Sequence, residues 1–226
     1  AQCLVGSEMC IRDSVGGVNF DIDEALSKKI IDMLDGVAKT VDRTTKVMLK
    51  TPSCISRMER TGVVSTETAQ ALGAVGMAAR SSGVDIDTRF DFNDKWYTSL
   101  DVVKPFKATG DVHSRFKLRY KEIKQSMQIV KKLLDKLKEF RNEQILTNPN
   151  KTLAPNAFAI SMTEGWRGEI VHIALTGANG ELLRYKMKDP SFNNWYMLAM
   201  AVRNNGVSDF PLCNKSFNLS YCGNDL

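Results

Sequence analysis

The chain's clearest element is DVHSRFKLRYKEIKQSMQIVKKLLDKLKEF, residues Asp111–Phe140. Its apolar side chains recur at intervals of four and three residues, which is the period of a helix with one narrow buried seam. Such a helix would be about 45 Å long at about 1.5 Å per residue. The segment therefore predicts a long member of a helical bundle. The seam residues are Val112, Phe116, Tyr120, Ile123, Met127, Val130, Leu134 and Leu137.

The segments before this helix are also mainly helical. Asp21–Lys50 carries apolar residues every three or four positions and predicts a second long helix, which Pro52 would end. Ser65–Leu72 predicts a short helix with Ser65 or Thr66 as its N-cap. We expect Phe90–Gly110 to form a long loop or two weak helical turns. The glycines expected to interrupt helical structure after the short helix are Gly73, Gly76 and Gly83.

The segments after the long helix predict a small sheet. Ala157–Met162, Gly168–Thr176 and Leu182–Lys188 alternate in polarity or carry β-branched residues, as half-buried strands do. A Gly-Ala-Asn-Gly turn at 177–180 joins the last two segments into a hairpin, and Trp195–Val202 predicts a closing helix. The predicted fold class is therefore α+β and mainly α: a long-helix bundle with a small antiparallel β-sheet.

The composition is that of an ordinary globular protein. The chain has 226 residues and a net charge of +5, which excludes collagen-like, mucin-like and wholly disordered classes. No apolar run reaches the roughly 18 residues that a membrane-spanning helix needs. The cysteines are five, widely spaced and without a CxxC pair, which argues against a disulfide framework and a structural zinc site and fits a reducing compartment.

The first fourteen residues, AQCLVGSEMCIRDS (Ala1–Ser14), do not resemble the rest. They have no apolar period and no signal-peptide pattern, and they resemble adaptor-derived translation from shotgun sequencing. We expect residues 1–14 to be a non-native segment. Residues 15–226 are then expected to be the C-terminal part of a single domain in a longer protein.

Two charged features have simple structural explanations. The long helix carries nine Lys or Arg against four Asp or Glu, which suits either a phosphate-binding face or a solvated outer face. We favour the solvated face, because no aromatic residues are interleaved for base stacking. The acidic segment lacks the Gly and the Glu that a calcium-binding loop requires at fixed positions, so a solvated or arginine-paired loop is favoured there. Its acidic residues are Asp85, Asp87, Asp91 and Asp94.

Arg167 is a more specific candidate. It lies in the turn EGWRGE (Glu164–Glu169), which leads directly into an apolar strand and can present a fixed cation to a cavity. A surface arginine in a turn is the plainer alternative. His113 and His172 lie far apart without a nucleophile at a catalytic spacing, so a catalytic triad is not predicted.

Four segments in order carry a more informative pattern: TGVVSTETAQALGAVGMAARSSGVDIDTR (61–89), GDVHSRFKLRYKEIKQSMQIV (110–130), EGWRGEIVHIALT (164–176) and the terminus from Asp189. Together they resemble the D subunit of NADH:quinone oxidoreductase and the large subunit of group-4, energy-converting nickel–iron hydrogenases. The Gly16-Gly17-Val18 turn and the helix after it are similar to a further segment of that family. The resemblance covers nearly everything after Ser14.

The resemblance implies a function. The chain would be a subunit of a membrane-associated, ion-translocating oxidoreductase complex and would couple electron transfer to the membrane arm. The implied partners are a small Fe–S subunit, membrane ion-translocating subunits and the N-terminal half of its own chain, with no nucleic acid. The implied location is peripheral, on the cytoplasmic face of the cell membrane. Fe–S clusters would lie in the partner subunit, quinone and NAD binding would belong to the complete complex, and this fragment would bind no cofactor and be inactive alone.

The resemblance also implies site residues. Arg167, Glu164 and His172 would line the cavity of the site. Ser220 and Gly223 occupy the positions of two nickel-ligating cysteines, so no metal is expected and the chain is similar to hydrogenase-related forms that lack nickel ligands. The other residues that match family motifs are Arg80, Asp87, Arg89 and Asp225.

Two other functions compete with this interpretation. One is an active group-4 hydrogenase, against which Ser220 and Gly223 count. The other is a stand-alone basic helical protein that binds nucleic acid, which would show strong, salt-sensitive DNA binding.

Overall fold

The structure is a computed structural model that describes residues 18, 20–92, 97, 99–100, 102–104, 109–140, 144–146 and 152–224. The expectations for residues 1–14, Asp94 and Asp225 lie outside the described residues. Eight α-helices and three strands are found in the part that is described. The helices are α1 Glu24–Lys50, α2 Pro52–Met58, α3 Thr66–Ala71, α4 Gly76–Ser81, α5 Thr88–Asp91, α6 Val112–Lys136, α7 Ser191–Ala201 and α8 Phe210–Phe217; the strands are β1 Phe158–Gly165, β2 Gly168–Thr176 and β3 Leu182–Lys188.

The two long predicted helices are confirmed as α1 and α6. Each begins at an aspartate N-cap: Asp23 Oδ1 accepts from Leu26 N at 2.7 Å, and Asp111 Oδ1 accepts from Ser114 N at 2.7 Å. The last turn of the segment predicted for α6, Leu137–Phe140, is a 3₁₀-helix. No helix in the described ranges is both long enough and apolar enough to cross a membrane.

The expectation that glycine interrupts helical structure at Gly76 is wrong, because α4 begins there. Gly76 has a φ of +64°, a conformation that glycine adopts without strain, and it directs the chain into the helix. The helices α2, α5 and α8 were also not predicted. All six residues of α4 are buried, so the helix has no polar face and its sequence shows no helical period.

The core lies among the short helices rather than between the two long ones. Among the residues of α1 only Thr45 is buried. The long helices instead lie side by side with polar contacts: Tyr120 Oη donates to Asp42 Oδ1 at 2.6 Å, and Lys131 Nζ donates to Asp35 Oδ1 at 2.5 Å. The buried core residues are Met58, Val64, Ala69, Ala74, Ala78, Ala79, Val112, Met197, Leu198, Ala201, Cys213, Phe217 and Leu219.

The predicted antiparallel sheet is confirmed, in the order β1-β2-β3. The strand β1 extends to Gly165, three residues beyond its predicted end, and Gly165 pairs with Gly168 across a two-residue turn. Gly168 packs against Gly76: a Cβ added to Gly76 would lie 2.2 Å from Gly168 Cα. This close approach of two backbones holds the β1–β2 turn against the start of α4.

Candidate functional site

Arg80 is the centre of a buried group of charges. Its helix α4 is enclosed on all sides, and the Arg80 side chain is only 2% exposed. Nη1 donates to Glu164 Oε1 at 2.8 Å and lies 3.2 Å from Asp87 Oδ2. Nη2 donates to Glu122 Oε1 at 2.5 Å. One guanidinium therefore contacts three carboxylates, which come from β1, the α5 N-cap and α6.

A second arginine completes this group. Asp87 is the N-cap of α5, and Arg89 donates to it twice, from Nε to Oδ1 at 2.9 Å and from Nη2 to Oδ2 at 2.6 Å. This bidentate geometry is the strong form of an arginine–carboxylate pair. We name Arg80, Asp87, Arg89, Glu122 and Glu164 the buried charge cluster. Their side chains are at most 13% exposed.

The cluster contains three carboxylates and two guanidiniums. Burial raises the pKa of Glu164, and the charge of Asp87 raises it further, against the opposing effect of Arg80. Burial acts in the same upward direction on Asp87, but the hydrogen bonds of Arg89 and the charge of Arg80 outweigh it, so the pKa of Asp87 is lowered. The two carboxyl groups therefore differ in their affinity for a proton.

The cluster opens onto a cavity of about 310 Å³. Four of the five cluster residues line it, and the backbone turn at Gly165 and Trp166 closes one side. The cavity thus gives solvent-sized molecules access to the carboxylates of Glu122 and Glu164. The remaining lining residues are Tyr97, Ser126, Ile129 and Val130.

Two further arginines converge on the end of α8. Arg119 Nη1 donates to Ser216 O at 2.9 Å, and Arg167 Nε donates to Asn218 O at 2.5 Å. The Arg119 guanidinium also lies 5.5 Å from the centre of the Trp166 ring. Cations are stabilised at the carboxyl end of a helix by its dipole, so these arginines hold α8 against α6 and the β1–β2 turn.

Comparison with known proteins establishes the family. The chain matches the family model described as respiratory-chain NADH dehydrogenase, 49 Kd subunit, over residues 9–160, which is more than half of its length. The chain belongs to this 49 Kd subunit family. Four of the five residues of the buried charge cluster lie within the matched range.

Several curated proteins with different names are similar to this chain. The membrane-bound hydrogenase subunit alpha of Pyrococcus furiosus is 31% identical over 87% of this chain and 49% of its own length. The D subunit of the NADH-quinone oxidoreductase of Akkermansia muciniphila is 26% identical over 90% of this chain and 55% of its own length. Formate hydrogenlyase subunit 5 of Escherichia coli is 29% identical over 100% of this chain and 39% of its own length. The chain spans about half the length of these relatives.

A solved structure shows the same fold. It belongs to the membrane-bound sulfane sulfur reductase (MBS), described as an archaeal respiratory membrane complex. The TM-score is 0.83 at 22% identity, over 93% of this chain and 58% of the other.

The structure separates the three cavity residues that the family resemblance implied. Glu164 lies in the buried charge cluster, together with the motif residues Arg80, Asp87 and Arg89. Arg167 lies instead against the end of α8, near the chain terminus. His172 lies on the opposite face of the sheet, because it pairs with Ser161, three residues from Glu164, and side chains alternate along a strand. Its Nδ1 contacts the hydroxyl of Tyr185.

The residues present do not fit the nickel site of the family's hydrogenases. Ser220 Oγ accepts from Gly223 N at 3.0 Å, so the two positions form a local turn. Gly223 has no donor side chain, and a Cβ added there would lie 2.4 Å from the carboxylate carbon of Asp189. Among the residues that the structure describes, no group of three or more His, Cys, Asp or Glu side chains could hold a metal ion.

Glu122 is the cluster residue that sequence reasoning missed. It lies beside the predicted apolar seam of α6, where a charged residue normally faces solvent. A signal was available, because Arg115, Arg119 and Glu122 are spaced by four and three residues and thus share one helical face. This second face of α6 is the one that turns toward α4 and α8, with Arg115 fully buried.

Proposed function

We propose that this chain is part of the large, D-type subunit of a membrane-associated, ion-translocating oxidoreductase complex, in which it couples electron transfer to the membrane arm. The observation that supports this most directly is the buried charge cluster, whose residues Arg80, Asp87, Arg89 and Glu122 lie in the range matched by the 49 Kd subunit family. The names of the relatives, which include a membrane-bound hydrogenase and an NADH-quinone oxidoreductase, support the same function.

The cluster has the physical properties that coupling requires. Charges interact strongly where water is excluded, and Arg80 joins α4, the α5 N-cap, α6 and β1 through three carboxylates. A change of charge nearby, such as the arrival of an electron in a neighbouring subunit, changes which carboxylate Arg80 holds most tightly. The elements that carry these carboxylates then shift relative to each other. Since α6 continues from Glu122 to Lys136, it can carry the shift about 21 Å away from the cluster at about 1.5 Å per residue.

The remaining parts of this proposal concern the complete complex. Fe–S clusters belong to a small partner subunit, and quinone binds to the complete complex rather than to this chain. Membrane ion-translocating subunits form the arm to which the complex is docked, on the cytoplasmic face. The chain alone is then inactive, because its electron donor and the other half of its own subunit are missing.

Purification of the complex from membranes through an affinity tag on this subunit tests the function. We expect an Fe–S subunit and integral membrane subunits to copurify and the preparation to have oxidoreductase activity. Glu122→Gln should lower the turnover about tenfold without loss of assembly, since coupling energies are about 1–3 kcal/mol. Glu139→Gln, a matched change at the exposed end of the same segment, should have no effect. A chain that purifies alone and binds DNA in a salt-sensitive manner would contradict the proposal.

We expect the same complex to contain no stoichiometric nickel and to show no hydrogen uptake. The reason is that soft thiolate ligands are needed at the two positions occupied by Ser220 and Gly223. Elemental analysis and a hydrogen-uptake assay measure this. About one nickel per large subunit, lost on Cys222→Ala, would instead establish the alternative function, an active group-4 hydrogenase.

A further inference from the structure

We propose that the buried charge cluster is a proton-binding site in which Glu164 takes up and releases one proton through the adjoining cavity. The use of this proton in coupling rests on the function proposed above, whereas proton binding by Glu164 does not. Three observations carry the proposal: the unequal sharing of the guanidiniums, the charges that face Glu164, and its access to solvent.

The guanidiniums are shared unequally among the carboxylates. Arg89 binds both oxygens of Asp87, so Asp87 has an arginine of its own. Glu122 receives Nη2 of Arg80 at 2.5 Å. Glu164 shares Nη1 of Arg80 with Asp87 and with the carbonyl oxygen of Ile86. Within the described part of the chain, its other oxygen accepts only a long bond of 3.3 Å, from Thr88 N. Glu164 is therefore the least compensated of the three carboxylates.

The buried charge cluster has one negative charge in excess, with three carboxylates and two guanidiniums, and further charged groups face Glu164 from the neighbouring elements. On the neighbouring strand Glu169 opposes Glu164 in the ladder, but it is paired with Lys188 of β3 at 4.0 Å. Arg119 lies one turn before Glu122 on α6 and donates to the end of α8, not to Glu164. Burial of this unbalanced site raises the pKa of Glu164. The charged groups on the packed elements are Arg80 of α4, Asp87 and Arg89 at α5, Glu122 and Arg119 of α6, Glu169 of β2 and Lys188 of β3.

Solvent can reach the site. Glu164 and Glu122 both line the cavity of about 310 Å³, together with Tyr97 and Ser126, whose hydroxyl groups can relay a proton. Both residues that donate to Glu164 also carry a buried polar atom, Arg80 Nε and Thr88 Oγ1, which has no hydrogen-bond partner among the residues that the structure describes. Buried polar groups of this kind are commonly satisfied by ordered water. A chain of water and hydroxyl groups can therefore carry the proton between Glu164 and bulk solvent.

The direction of the pH dependence follows from the raised pKa. The stability that protonation of Glu164 contributes is fully present below the pKa of the unfolded chain and is lost as the pH rises through the folded pKa. Asp87 has the opposite dependence, because its lowered pKa contributes stability that is lost only as the pH falls through the folded value. The cluster thus keeps one carboxylate charged while its neighbour exchanges a proton.

The test is a carboxyl titration of the full chain by nuclear magnetic resonance, with carbon-13 in the glutamate side chains. The titration midpoint of Glu164 is measured in the folded chain and again in urea. We expect the midpoint to be higher in the folded chain than in urea. Asp87→Asn, which removes a neighbouring negative charge, should lower the folded midpoint, whereas the control Glu139→Gln, at an exposed position away from the cluster, should leave it unchanged.

A folded midpoint at or below the value in urea would overturn the proposal. Backbone-linked assignment of the wild-type chain identifies the Glu164 signal, so the result does not depend on whether Glu164→Gln folds. The titration uses the chain alone and is therefore independent of the complex. If the midpoint is raised but the chain assembles into no complex, the proton-binding site is supported and the proposed function is contradicted. If the midpoint is not raised but the complex is active, the proposed function is supported and the proton-binding site is contradicted.

Discussion

Arg80→Met should lower the free energy of unfolding by about 3–5 kcal/mol, as is typical when one partner of a buried ion pair is removed. Methionine keeps much of the volume of the arginine but leaves the carboxylates of Glu122 and Glu164 buried without a cation. Since small proteins are stable by about 5–15 kcal/mol, this single change removes a large share of the total. Urea unfolding followed by circular dichroism measures it.

A control and a rescue separate the charge effect from a packing effect. Arg57→Met breaks the ion pair between Arg57 and Asp209, whose arginine side chain is 57% exposed, and should cost less than about 1 kcal/mol. Adding Glu122→Gln and Glu164→Gln to Arg80→Met should restore part of the stability, because fewer buried charges then lack a partner. Equal losses for Arg80→Met and Arg57→Met, or no rescue, would contradict this account of the cluster.

Gly76→Ala should lower the free energy of unfolding by about 2–5 kcal/mol, from a left-handed backbone that costs a residue with a Cβ about 1–2 kcal/mol and overpacking that costs about 1–3 kcal/mol. The added Cβ would lie 2.2 Å from Gly168 Cα and 2.5 Å from Arg167 O, and both are backbone atoms that cannot rotate away. The β1–β2 turn must then move off α4, and Glu164 moves away from Arg80. Urea unfolding measures the loss.

Gly36→Ala is the matched control and should have the opposite sign. Gly36 lies in the middle of α1, and a Cβ there would meet no atom within 4 Å. Alanine should therefore raise the free energy of unfolding by about 0.8–1 kcal/mol through its higher helix propensity. Destabilisation by both glycine substitutions would show that the contact between Gly76 and Gly168 is not the cause.

The long helices and the sheet follow from the local pattern of the amino acids. The helix α6 and the strands β2 and β3 were predictable because the apolar residues of each recur with the period of its secondary structure, 3.6 or 2 residues. For β2 and β3 the predicted bounds are those of the structure. The family motifs also singled out Arg80, Asp87, Arg89 and Glu164, although not their contacts.

The position of the core and the meeting of the charges depend on long-range packing. The helix α4 is buried on every side, so it carries no period, and its start at Gly76 depends on a backbone contact with Gly168 that is distant in sequence. Arg80 and Glu164 are separated by 84 positions, and no local pattern links them. In the unfolded chain these side chains are solvated separately. The packing of the helices and the sheet brings them together and excludes water around them, and this exclusion exists only in the folded chain.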